Sequence, residues 1–320
     1  MKYMIKHVPI PIAGLVLGLT ALGNLLQEYS DMMRTFCGLV AGGLGILLLL
    51  KFVIYPFHVK EEYENPIIAS VSATIFMSVM QLMTYIFPYV GKIAYVIWLA
   101  AVCSHLILMV WYTKKFLLRF SLEEIFPTCF ITYVGIIVGS VTSATFQQER
   151  LGEMLFWLGF TFYIFIFGLI TYRYMKVEVP ESAKPLFCIY TAPMSLSLAG
   201  YLTASSHISF AFTLALEIMA QLLYIVVLTQ LPKLVKLSFY PSFAAFSFPF
   251  VITAFALKKW VGYLSSMGIE VSPVIYLVLA IETIIAVVMV SFALIHFLSH
   301  LYRHMRLGIS AERTQFAAEK

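Results

Sequence analysis

Two acidic residues lie inside long apolar segments, where a carboxylate is costly to bury and commonly has a function. Glu217 and Glu282 are both surrounded by Leu, Ile, Val, Ala and Met residues. Either could couple transport to a proton. Either could instead make a hydrogen bond to Ser, Thr or Tyr on a neighbouring helix, and a carboxylate facing an anion would oppose its passage. The sequence leaves both interpretations open.

Three histidines near the C-terminal end recur every four residues and would share one face of a helix. His296, His300 and His304 could hold a metal at that spacing, but no carboxylate or thiolate nearby completes a ligand set. We therefore predict interfacial histidines, with no metal and no other cofactor. The sequence also lacks a glycine-rich phosphate loop, a His-Glu-x-x-His motif and a nucleophile elbow, so it does not predict an enzyme.

The chain that carries these side chains has the composition of an integral membrane protein. Of its 320 residues, 61% are hydrophobic and 12% are charged, about half the charged share of a soluble domain. A bilayer span takes about 20 apolar residues, and the chain divides into ten such segments within one domain, residues 1–320. We predict helices over residues 8–28, 33–57, 66–87, 90–112, 124–146, 150–172, 184–204, 208–231, 240–262 and 274–300.

A set of five prolines gives this all-α membrane protein an internal period of about 60 residues, which predicts five helical hairpins. Each proline lies in or at the start of the first helix of a hairpin. We expect it to remove one backbone hydrogen bond and to kink that helix. The five are Pro11, Pro66, Pro127, Pro193 and Pro249.

The first helix of each hairpin is rich in small and hydroxyl residues, whereas the second is mainly Leu, Ile, Val and Phe. This contrast predicts two layers, with the hairpins in a quasi-fivefold arrangement around a central pore that hydroxyl groups line. The alternative is close helix packing, which small residues four apart favour. Such pairs are Gly14/Gly18, Gly38/Gly42 and Gly135/Gly139.

The positive residues fall unevenly on the two sides of the predicted membrane. One side carries 5 of the 21 Lys and Arg residues, and the side that holds both termini carries the other 16. Because positive loops stay in the cytoplasm, both termini are predicted to be cytoplasmic. The net charge of +5 expresses this bias and does not predict nucleic-acid binding. The five residues on the far side are Arg34, Lys92, Arg150, Lys258 and Lys259.

No Lys or Arg lies near the middle of a predicted span, and Lys51 lies near the end of the second helix, where it could extend toward water. A transporter for multivalent anions would need a fixed cation at its site. A pore lined by hydroxyl groups and helix-end dipoles passes anions without one.

The segment Ala244–Phe250, with the sequence AAFSFPF, is distinctive enough to indicate a particular family. Together with the ten segments and the opening Val8–Leu19, it resembles the tellurite-resistance/C4-dicarboxylate transporter family. This TehA-like family includes the plant guard-cell slow anion channels. The resemblance covers the whole chain in its span pattern and is close in residues at the first and ninth helices.

The resemblance implies an anion channel, commonly a homotrimer, with one pore in each protomer. It also implies that a phenylalanine plugs the pore, at the position of Phe248. Phe246 and Phe248 are about 200° apart around a helix, so only one of them can face a pore. Pro249 would bend the helix at the plug.

We therefore expect a gated channel in the inner (plasma) membrane that conducts small monovalent anions passively. Its partners would be small inorganic or organic anions and the lipid bilayer. The alternative is a proton-coupled carrier of C4-dicarboxylates, such as malate, or of tellurite. A membrane scaffold that moves nothing is disfavoured, because a scaffold could pack with Ala and Gly alone.

Overall fold

The computed structural model of the protein describes residues 2–119 and 121–318, and it describes side chains over residues 2–119, 121–307 and 309. Arg313 and Lys320, which the charge count includes, therefore lie outside the described side chains. The described residues form helices and short connections. The main helices in chain order are α1 Ile12–Leu26, α2 Asp31–Ile54, α3 Pro66–Val90, α4 Lys92–Leu117, α5 Thr128–Val134 with Ile137–Phe146, α6 Glu149–Lys176, α7 Glu181–Ala204, α8 Phe210–Leu234, α9 Pro241–Ser266 and α10 Pro273–Ala318.

Within the described residues, eight of these helices are long and apolar enough to cross a membrane. The two halves of α5 are bent by 49° and add a ninth candidate if they form one span. α1 is apolar but has 15 residues, fewer than the roughly 20 that a span requires. The structure is therefore that of a multi-pass helical membrane protein with eight or nine candidate spans, where the sequence predicts ten.

The odd-numbered helices pack against one another in a closed ring. α1 contacts α3 and α9, α5 contacts α3 and α7, and α7 contacts α9. Each even-numbered helix packs outside this ring, against the odd-numbered helix that precedes it. Burial agrees with this arrangement. The most apolar part of the inner helix α7 is 83% buried, whereas that of the outer helix α2 is 28% buried. The small residues of the first helices allow the inner ring to pack closely.

Each of the five prolines lies at the start of an α-helical segment or directly before it, and none lies in the middle of one. Pro66 follows Asn65, whose side chain accepts hydrogen bonds from the backbone N–H groups of Ile67 and Ile68. A proline at the first helical position has no intrahelical hydrogen bond to lose. Pro11 and Pro127 directly precede an α-helix, and Pro193 and Pro249 occupy its second residue.

The bends occur at other residues. In α5 the break lies at Gly135 and Ile136, between the two short helices. In α9 a 3₁₀-helix over Pro241–Phe246 ends at Ser247, whose backbone angles (φ −99°, ψ −90°) are outside the helical range. Pro249 therefore begins the α-helix Phe248–Ser266 after the break.

Candidate functional site

A cavity of about 420 Å³ opens on the side of the N-terminal segment and extends into the ring of odd-numbered helices. We call it the proximal cavity. Lys6, His7, His58, Glu62 and His300 line its polar end. Its deeper wall is apolar and takes one or more residues from each odd-numbered helix, among them Leu17, Met77, Val134, Leu196 and Phe248.

A second cavity of about 210 Å³, the distal cavity, lies nearer the opposite ends of these helices. Its lining is polar and positively charged. Among the described residues that line it there is no Asp or Glu, whereas Arg34 and Lys259 are both present. The amides of Asn24, Gln27 and Gln81 also line this cavity.

The two cavities lie one after the other along the inner helices, and we call the line through both of them the path. Residues four apart lie on the same face of an α-helix, one turn from each other. Three inner helices contribute one residue to the proximal cavity and the residue four positions later to the distal cavity. These pairs are Leu17 and Ala21, Met77 and Gln81, and Phe248 and Ile252.

Phe248 lies at the boundary between the two cavities and is 6% exposed. Its helix is held close to α1, because the Ser247 hydroxyl donates to the Gly14 carbonyl at 2.9 Å. A Cβ on Gly18 would lie 2.9 Å from the Phe248 backbone nitrogen. The position of this phenylalanine is therefore fixed by direct backbone packing between α1 and α9.

Phe246 points away from this path. Its ring packs against Phe243, with ring centroids 5.0 Å apart, and against Phe292 of α10, at 5.6 Å. Of the two phenylalanines, only Phe248 lines the proximal cavity. Pro11, Pro193 and Pro249 also line this cavity, whereas Pro66 and Pro127 are not among its lining residues.

Most hydroxyl groups of the inner helices bind backbone and other side chains and do not line the path, which corrects the expected hydroxyl lining. The Ser78 hydroxyl donates to the Ala13 carbonyl at 3.0 Å, and the Ser140 hydroxyl donates to the Gly200 carbonyl at 3.1 Å. A buried hydroxyl without such a partner would cost free energy. The hydroxyl residues of the inner helices that do line a cavity are Thr74, Ser182 and Ser242 in the proximal cavity and Thr84, Thr142 and Thr145 in the distal cavity. The close-packing interpretation applies to the glycine pairs except at Gly42, where a Cβ would meet no atom within 4 Å.

Glu217 and Glu282 lie near each other but outside both cavities. Glu217 accepts a hydrogen bond from the side-chain amide of Gln221 at 2.8 Å, and both Glu217 and Gln221 lie close to Glu282. Glu282 is 1% exposed, and neither of its carboxyl oxygens has a hydrogen-bond partner among the described residues. The two acids thus form one buried pair between α8 and α10.

The histidines of α10 contribute to the polar end of the proximal cavity. His304 stacks on His7 with ring centroids 4.6 Å apart, and His300 lies 4.5 Å from His304 by the same measure. His296 packs against Phe292 at 4.3 Å. Within the described part of the chain, no three His, Cys, Asp or Glu side chains are arranged to hold a metal ion.

Sequence reasoning missed several buried cations. Lys51 does not extend to water: it is fully buried, donates to the Val8 carbonyl at 2.6 Å and forms an ion pair with Glu62 at 2.7 Å. Arg173 is 1% exposed, and its guanidinium lies 4.4 Å from the ring centroid of Phe126. The sequence also did not predict that Arg34 and Lys259 line the same cavity, although the charge count assigned both to the same side of the membrane.

The family model described as voltage-dependent anion channel, SLAC1, matches residues 7–297. The chain belongs to this family. The match confirms the resemblance that the first and ninth helices indicate, and the family consists of anion channels and transporters and not of enzymes. A comparison with curated proteins found no match.

Proposed function

We propose that the protein is a gated anion channel that conducts small monovalent anions passively through a pore in each protomer. In this proposal the ten helices are five hairpins in a quasi-fivefold arrangement, both termini are cytoplasmic and the assembly is a homotrimer in the plasma membrane. The observation that carries the proposal is the pair of cavities on one path, with Phe248 at the boundary between them.

The Phe248 ring would close the path by desolvation. An anion that crosses a narrow apolar constriction loses its water without gaining a partner, and this costs several kcal/mol or more. Because the deep wall of the proximal cavity is apolar, the closed state needs no repelling charge. Opening requires that the ring move or that the residues around it separate.

Removal of the ring tests this mechanism. We expect Phe248→Ala to raise anion current at least about tenfold, since each 1.4 kcal/mol removed from a barrier gives a factor of ten. The measurement is voltage-clamp current with chloride and then malate gradients. The current should reverse at the Nernst potential of the anion.

Phe246→Ala is the matched control, because it removes an equally buried ring that packs toward α10 and does not line the path. It should leave the current near that of the wild type. Equal currents in the two variants, or a closed Phe248→Ala variant, would refute the gate assignment.

The second candidate is a proton-coupled carrier of C4-dicarboxylates, such as malate, or of tellurite. One observation favours it: the fixed cation that such a substrate needs is present twice in the distal cavity, as Arg34 and Lys259. A carrier would show no uncoupled current in Phe248→Ala. It would instead show pH-driven uptake of labelled malate that depends on Glu217 and Glu282.

A further inference from the structure

We propose that Arg34 and Lys259 form a binding site for small oxyanions in the distal cavity. The site would load anions on the side of Phe248 that lies away from the N-terminal segment. The binding itself requires only the distal cavity, whereas its place in conduction rests on the proposed function. The ligand class is an anion with two or more oxygen atoms, such as nitrate, sulfate or a short carboxylate.

Arg34 is held in place by contacts that leave part of its guanidinium free to bind a ligand. Nε donates to the Asn24 side-chain oxygen at 3.1 Å, and Nη2 donates to the Thr84 carbonyl at 3.3 Å. The guanidinium carbon lies 4.3 Å from the ring centroid of Tyr85. A guanidinium has five N–H groups, so these contacts leave N–H groups for a ligand, and among the described residues that line the cavity no carboxylate neutralises the charge. A guanidinium oriented in this way is suited to binding oxyanions.

Lys259 differs from the neighbouring Lys258 in having no counter-ion among the residues that the structure describes. Lys258 forms an ion pair with Glu28 at 3.0 Å and donates to the Leu25 carbonyl at 3.0 Å. Lys259 lines the distal cavity, and its Nζ atom lies 5.7 Å from the centroid of the Phe255 ring. A half-buried ammonium without an anionic partner is costly, and an anion in the cavity would remove that cost.

The donor arrangement favours oxyanions over halides. The side-chain amide of Asn24 donates to Gln81 at 2.7 Å, so the polar groups between the two cations are already oriented. N–H donors at separate points can bind several oxygen atoms of one anion at once, whereas a halide is a single acceptor. The volume of about 210 Å³ far exceeds the ~10–15 Å³ that one water needs and admits a small anion with part of its hydration shell.

Two positive charges without an acid also raise the local anion concentration. A cleft lined by one sign of charge attracts counter-ions from solution, and the effect weakens as ionic strength rises. Ile252 lines the cavity one helical turn beyond Phe248. An anion bound at this site would therefore stand next to the proposed gate.

Binding in detergent tests the site without any need for conduction. The probes are sodium nitrate and sodium sulfate, with sodium chloride at matched ionic strength, and the measurement is the stabilisation that each anion gives against thermal unfolding. We expect Lys259→Gln to weaken nitrate and sulfate binding about tenfold, because one charge-assisted hydrogen bond is lost. Lys259→Arg should retain binding, and wild-type protein should bind both oxyanions more tightly than chloride.

Lys258→Gln is the matched control, since it removes one positive charge from the adjacent residue without touching the cavity. Its oxyanion affinity should stay within about twofold of the wild type, since Lys258 does not line the distal cavity and its charge is already paired with Glu28. Equal losses in Lys258→Gln and Lys259→Gln would overturn the proposed site. Wild-type protein that binds chloride as tightly as nitrate would overturn the oxyanion class.

A conduction measurement separates this proposal from the proposed function. In the Phe248→Ala background, Lys259→Gln should raise the half-saturating nitrate concentration about tenfold when nitrate enters from the distal side. If Phe248→Ala is silent while Lys259→Gln still loses binding, the channel proposal fails and the site stands. If Phe248→Ala conducts and Lys259→Gln changes neither binding nor half-saturation, the site fails and the channel stands.

Discussion

At the scale of single residues, the buried carboxylates differ from what their sequence context indicates. Both acids were candidates for coupling, but the structure pairs them away from the two cavities. Glu217 has an amide partner in Gln221, whereas Glu282 has no hydrogen-bond partner among the described residues. An ionised and unpaired carboxylate at such a position would cost several kcal/mol. Their position outside both cavities suits a structural role and not contact with a conducted anion.

Glu282→Gln tests this structural role. The amide keeps the shape and removes the charge, so we expect thermal stability in detergent to be unchanged or raised by about 1–3 kcal/mol. Anion current in the Phe248→Ala background should remain the same. Glu282→Ala is the comparison, because it leaves a cavity and should destabilise the protein. Loss of a pH-dependent transport rate in Glu282→Gln would instead support the carrier.

Sequence analysis could indicate residues of the path only where a short, continuous segment of the chain carries the pattern. The resemblance of the short segment AAFSFPF to the family indicated Phe248, whereas the 200° argument assumed a continuous helix, which the break at Ser247 interrupts. Arg34 and Lys259 are 225 positions apart and meet only because α1 brings the chain back beside α9. The charge count could place them on one side of the membrane but could not place them in one cavity.

At the scale of elements, the contact between α1 and α9 sets the position of the boundary between the cavities. A Cβ on Gly18 would lie 2.5 Å from the Ser247 Cβ, closer than real side chains approach. The prolines show that the position of a helix is easier to predict from sequence than the position of a bend within it. Their positions predicted the helix repeat, but a proline in the first turn causes no kink there. The breaks at Gly135 and Ser247 depend on packing against neighbouring helices.

Gly18→Ala tests the α1–α9 contact. Because the added methyl group would meet the Ser247 side chain and the Phe248 backbone, one helix must shift, and we expect a loss of about 1–3 kcal/mol in stability. Gly42→Ala is the control, since a Cβ at Gly42 has no neighbour within 4 Å. Thermal unfolding in detergent measures both. A Gly18→Ala variant as stable as Gly42→Ala would show that the two helices are not in tight contact.

At the scale of the whole molecule, one chain encloses both cavities. The ring closes through contacts of α9 with α1, so no second copy is needed to complete the walls. The hydropathy and the proline period predicted a multi-pass helical membrane protein with ten spans, because burial in lipid requires continuous apolar helices, and the described residues form helices with eight or nine candidate spans. They did not predict the short α1 or the bend in α5, which depend on how neighbouring helices meet.

This enclosure predicts that each protomer conducts independently. Wild-type and Phe248→Ala chains, mixed before assembly and reconstituted at fixed total protein, should give a current that rises linearly with the fraction of mutant chains. Linearity is expected whatever the oligomeric state, because the variant ring opens only the path in its own chain. Proportional labelling of the two chains provides the control for unequal incorporation. A current that rises as the square or cube of the mutant fraction would mean that the path lies between chains, and the cavities inside the ring would then not be the conduction route.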